Sequence, residues 1–145
     1  SPASQQAVDY LSALCLELAD MGFDEILLDS AGYPDTAEVK VLAVSDNRPQ
    51  DLTVPVSAFL QRLSQELEEK GTALSVQTSE DALRGENTLS GVTAANLGLY
   101  ADRVWAPAPV KGADYAALLA AGGMDNTAAR LVVKNALTGA GSWYK

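Results

Sequence analysis

Over residues 4–21 the apolar side chains Ala7, Val8, Leu11, Leu14, Cys15, Leu18 and Met21 recur at intervals of three and four, which predicts an amphipathic helix. Gly22 follows as its C-terminal cap, and Pro2 lies where a first turn accepts proline. Residues 25–29 read as a strand whose ILL centre is apolar on both faces, as expected of a parallel strand covered by helices. The stretch 35–54 is less regular. Val39, Val41 and Ala43 alternate with Lys40, Leu42 and Val44 before a turn-like SDNRP, which predicts an excursion with hairpin character between the strand and the next helix. That helix is expected over residues 55–70, with Val56, Phe59, Leu60, Leu63 and Leu67 on one face and Gly71 as its stop.

The pattern then repeats. TALSVQT (72–78) predicts a second strand and SEDALRGEN a polar loop at the matching end. A short helix over 93–100 leads to DRVWAP (102–107), a third strand closed by PAP. A helix over 113–121 leads to ARLVVKNA (129–136), a fourth strand, before GAGSWYK ends the sequence. Alternation of helix and strand predicts one α/β domain over residues 1–145: a parallel sheet with flanking helices, joined by right-handed crossovers. Four such strands are half of an eight-stranded (β/α)8 barrel. The sequence opens on SPASQQ, without an initiator Met and with a helix that has no strand before it, so the expectation is part of a larger barrel.

Composition narrows the chemistry. The 145 residues are 48% hydrophobic and 20% charged, with no apolar run long enough to span a membrane. Nineteen acids against ten Lys and Arg give a net charge of -9, which repels phosphate backbones and makes nucleic acid an improbable partner. There is no histidine, so His-activated nucleophiles and His metal sites are excluded, and acid or base work falls to carboxylates, Tyr or Lys. Cys15 is the single cysteine, expected as a small buried hydrophobe rather than a metal or redox site. AAGGMDN and TGAGSW lack the spacing of a phosphate loop, so no cofactor and no metal are expected. Ser75, Ser79 and Ser90 would need a lysine base. Lys134 is the lysine placed for a barrel mouth, or else a solvated strand end.

The first 34 residues carry the specific signal. Ser1, Pro2, Tyr10, Leu11, Glu17, Leu18, Gly22, Phe23, Asp24, Glu25, Ile26, Asp29, Tyr33 and Pro34 follow a pattern that resembles glycoside hydrolase domains of the (β/α)8 class, in the segment leading through the fourth barrel strand. Further on, only the order of elements and ADRVWAP are similar. The resemblance implies that Asp29 stands at the mouth of the barrel, where such folds place their active sites, with Asp24 and Glu25 structural at the bottom. Asp29 is then an acid or nucleophile; the alternative is an Asp that caps the following loop. DSAGYP departs from the D-Y-x-R-F-P run common in such domains, so an arginine there is absent.

Glycoside hydrolysis uses paired carboxylates, and Glu80 is the expected partner of Asp29, with Asp81 and Glu86 in the same loop as further candidates. Gln77 at the end of the second strand, Tyr33 and Trp105 are expected to line a sugar site; the two aromatics, like Trp143, alternatively fill the rim of the core. The resemblance implies a bacterial, secreted or cell-envelope protein acting on a polysaccharide or oligosaccharide, and incomplete as an isolated chain. An exposed inner face would be covered by the other barrel half or by a second copy. The alternative is a glycan-binding or assembly module without catalysis.

Overall fold

A computed structural model describes residues 1–33, 51–87 and 89–134, and the backbone of 142–144. The opening helix, α1 (Gln5–Asp20), starts where the Ser4 hydroxyl accepts the Ala7 N–H. It ends because Gly22 adopts a left-handed φ of 94°, which lets Phe23 N–H reach back to the Leu18 carbonyl. β1 (Glu25–Leu28) follows. Residues 34–50, which hold most of the expected hairpin excursion, lie outside the described residues.

α2 (Thr53–Glu68) begins two residues earlier than its apolar period predicts; at its start Asp51 Oδ1 accepts both the amide and the hydroxyl of Thr53. β2 (Ala73–Gln77) comes next. The SEDALRGEN stretch is not loop throughout: Ser79 caps one helical turn, α3 (Glu80–Leu83). α4 (Ala94–Tyr100) is held by a reciprocal Thr93–Asn96 capping box. β3 (Arg103–Pro107), α5 (Tyr115–Ala121), the single turn α6 (Thr127–Arg130) and β4 (Leu131–Lys134) follow. The fourth strand therefore starts at Leu131, not at residue 129. β5 (Ser142–Tyr144) is a fifth strand that the sequence pattern does not predict, since three residues carry no period.

All five strands are parallel in the order β1-β2-β3-β4-β5. The register sorts their side chains onto two faces, because successive residues alternate. On one face Ile26, Leu74, Val76, Val104, Ala106 and Leu131 join the core, together with Leu60, Leu63 and Leu67 of α2, Leu97 of α4 and Leu119 of α5. Each fully buried leucine stabilises the fold by about 1.5–3 kcal/mol.

The other face carries Glu25 and Leu27 of β1, Ser75 and Gln77 of β2, Arg103, Trp105 and Pro107 of β3, and Lys134 of β4. Here the strand expected to be covered on both faces is not: Leu27 is 42% exposed, since among the described residues no helix lies over this face. The apolar stripe of α1 is likewise only partly used. Val8 and Cys15 are buried, while Tyr10, Leu11 and Leu14 remain exposed, because α1 packs on α2 beside β1, and β1 is a sheet edge.

Candidate functional site

Asp29 directly follows β1, at the end of the sheet where barrel folds gather their active sites. Its backbone is held from both sides. Strand pairing with β2 fixes the residues before it, and after it the 30–33 loop is tied down by the Tyr33 N–H, which donates to the Ser90 carbonyl at 2.8 Å. This close approach requires Gly32. A Cβ there would stand 2.3 Å from the Ser90 oxygen and 2.8 Å from Val92 Cγ2. Ser90 is held in turn, since Asn87 Oδ1 accepts the Leu89 and Ser90 amides and Ser90 Oγ accepts the Val92 amide.

The result is a cavity of about 470 Å³ lined by Asp29, Tyr33, Gln77, Asn87, Pro107 and Lys134, among others. Three of these side chains form one connected row. Lys134 Nζ donates to Gln77 Oε1 at 2.7 Å, and Gln77 Nε2 donates to Asp29 Oδ1 at 2.5 Å. Among the described residues Lys134 is the cation of the cavity wall and Asp29 the anion. Tyr33 lines the same cavity. Trp105 stands on the same sheet face, half-buried and in register with Gln77, but the wall at β3 is formed by Pro107 instead. The side chain of Trp143 lies outside the described residues.

Glu80, expected beside Asp29, is engaged elsewhere. Its side chain is buried and faces the loop between β3 and α5, accepting the amides of Val110 at 2.7 Å, Lys111 at 3.0 and 3.1 Å, and Ala113 at 3.3 Å. Burial pushes its carboxyl upward, but the Lys111, Val110 and Ala113 N–H groups together outweigh that and hold it below its usual range. The two further acids of this stretch are tied to the same loop: Lys111 Nζ bridges Asp81 at 2.7 Å and Glu86 at 2.9 Å, and Arg84 also pairs with Glu86. Lys111 and then Arg84 hold the Glu86 carboxyl low. Tyr115, buried at the start of α5, is pushed up to about 12 by burial and by the neighbouring Glu80 and Asp81. None of these acids lines the cavity.

Residues 1–92 match the model of a family described as "Putative glycosyl hydrolase domain". The chain belongs to this family. The matched part includes Asp29, Tyr33, Gln77, Asn87 and Ser90, whereas Trp105 and Lys134 lie beyond it. Among curated protein sequences none matches the chain. Solved structures match it in fold. One is a putative sporulation-specific glycosylase of Bacillus subtilis, with a TM-score of 0.61 at 12% identity over 94% of this chain and 44% of that one. Another is the spore cortex-lytic enzyme SleL of Bacillus megaterium, at 0.63 and 15% over 92% and 30%. A third is catalytic domain 2 of a Group II chitinase of Ostrinia furnacalis, solved with a bound N-acetylchitooligosaccharide, at 0.58 and 15% over 97% and 44%.

These are TIM-barrel folds, and the chain spans less than half the length of each. In fold the parallel strands of this family member resemble part of such a barrel wall, the helix-covered face matching the outside and the polar face with Asp29 the inside. Among the described residues no group of three or more acids or Cys is arranged to hold a metal ion, and no helix is long and apolar enough to cross a membrane. Sequence reasoning does not single out Asn87 for the site or show what Ser90 and Gly32 do there. Their contacts join segments nearly sixty residues apart, and only the turn-forming GEN and the small SAG run hint at them.

Proposed function

We propose that this chain supplies one wall of a glycoside hydrolase-like barrel, with Asp29 as the acid or nucleophile that acts on an O-glycosidic bond of an oligosaccharide or polysaccharide. The observation that carries this reading is Asp29 itself: a carboxylate at the strand end, with one oxygen oriented by Gln77 and no partner for the other among the described residues, facing a cavity with Tyr33 in its wall. A flat phenol there suits the C–H face of a pyranose, and Trp105, one strand further on, extends that surface once the barrel is closed. The N-acetylchitooligosaccharide bound to the Ostrinia chitinase makes N-acetylglucosamine polymers the first substrates to try. A secreted or cell-envelope setting fits such a substrate.

The same geometry favours a second reading, a glycan-binding module without catalysis, because no second carboxylate lines the cavity among the described residues. Hydrolysis needs one about 5–5.5 Å away for retention or about 6.5–9.5 Å for inversion, and under the first reading it comes from a part of the barrel beyond this wall, since Glu80, Asp81 and Glu86 hold the β3–α5 loop. The exposed inner face then meets that other part of the barrel, or a second copy. Hydrolysis of aryl N-acetylchitooligosides and cell-wall polysaccharides by the full-length protein, compared with Asp29→Asn, separates the two readings. Turnover lost in the variant supports the hydrolase. Equal inertness of both, with glycan still bound, leaves the binding module. Residues 1–145 alone are expected to show no turnover.

A further inference from the structure

We infer that Lys134 is a positioning residue for Asp29 and acts on it through the Gln77 amide; this rests on the reading of Asp29 as the reacting carboxylate. A glutamine amide has one accepting and one donating end, and an ammonium group only donates. The bond from Lys134 Nζ to Gln77 Oε1 therefore decides which end of Gln77 faces β4 and which faces β1. With Oε1 held at β4, the NH2 group must point at Asp29, as it does. Turned by 180°, Gln77 would set its oxygen against the Asp29 carboxylate, two acceptors with no proton between them.

The row crosses three strand intervals. Lys134 is in register with Pro107, whose short ring on β3 leaves the lysine stem room to reach β2. Each polar end of Gln77 makes one contact of the row, which orients Asp29, while its second N–H and second oxygen lone pair are left for a sugar hydroxyl. The effect on Asp29 is geometric: Oδ1 is pinned, and Oδ2 is left toward the cavity.

The test uses the full-length protein and an aryl N-acetylchitooligoside. Lys134→Met is expected to lower kcat by about 10- to 100-fold, the scale of a displaced reacting group, with KM changed less than about threefold, and Lys134→Arg to recover most of the loss. In a Gln77→Leu background Lys134→Met should then add little. An equal further loss in that background would show that Lys134 acts on substrate directly, and an unchanged kcat in the single variant would remove the role altogether. The Gln77 side-chain amide resonances of 15N-labelled protein, which should move in Lys134→Met, report the contact without turnover. Unmoved resonances overturn the row itself, whereas a wild type that hydrolyses no glycoside overturns the hydrolase reading and the catalytic meaning of the row with it. Circular dichroism melts of each variant exclude misfolding as the cause.

Discussion

Two polar layers cross the inner face of the sheet, one near each end, and both start from an acid on or just after β1. Near the strand starts, Glu25 accepts from the Ser75 hydroxyl and pairs with Arg103 at 2.5 Å, so each carboxylate oxygen has a partner of its own. Near the strand ends, among the described residues, Asp29 meets only the neutral Gln77 amide, and the cation, Lys134, stands one side chain further away. A direct ion pair closes an acid's chemistry. An amide placed between acid and cation orients the acid while leaving one oxygen available. Under the proposed function, the difference separates a layer that serves cohesion from one that serves catalysis, at the two ends that barrels use for stability and for catalysis.

The sharpest way to break this comparison is to neutralise the two acids in parallel. Asp29→Asn should reduce hydrolysis by the full-length protein about 10²- to 10⁴-fold with little change in melting temperature. A kcat that survives would move the chemistry away from β1. Next in size is Gly32→Ala. Its Cβ would press on the Ser90 carbonyl at 2.3 Å, and overpacking of this kind costs about 1–3 kcal/mol; urea denaturation should show that loss together with weaker activity, because the loop that moves carries Asp29.

Glu25→Ala should do the reverse of Asp29→Asn. It strands the buried Ser75 hydroxyl and the half-exposed Arg103, costing about 1–2 kcal/mol, while kcat stays within about twofold of wild type. A large kcat loss without a stability loss would erase the distinction between the layers. The smallest effect is confined to acid pH. The folded-state value of Glu80 lies below its ordinary 4.5, so its hold on the β3–α5 loop is complete above that value and is lost as the pH falls through the lower one. Hydrogen exchange at Val110, Lys111 and Ala113, corrected for intrinsic rate, should accelerate only in that acid window, and Glu80→Gln should remove the pH dependence.

How much of this is legible in the sequence varies with the range of the interaction that decides it. The four longer strands and Asp29 at a strand end follow from local period, and they fall within a residue or two of their expected places. Glu80 reads as a catalytic partner because SED after a strand looks the same whether its carboxylate faces a cavity or a loop; what decides is a set of amides thirty residues later. Leu27 reads as covered because an apolar ILL run does not say which of its faces has a neighbour. Around Gly32 only the small SAG run hints at the close approach of the Ser90 carbonyl. β5 is too short to have a pattern.

The Glu80 contacts also bear on how this mouth can change. Loops after barrel strands are where related folds diversify, yet one carboxylate here satisfies amides at Val110, Lys111 and Ala113. Grafting a different β3–α5 loop would leave that buried carboxylate without donors unless the new loop presented its N–H groups at the same places. The segment after β2 and the segment after β3 are therefore coupled: a new loop after β3 calls for a matching change at the start of α3.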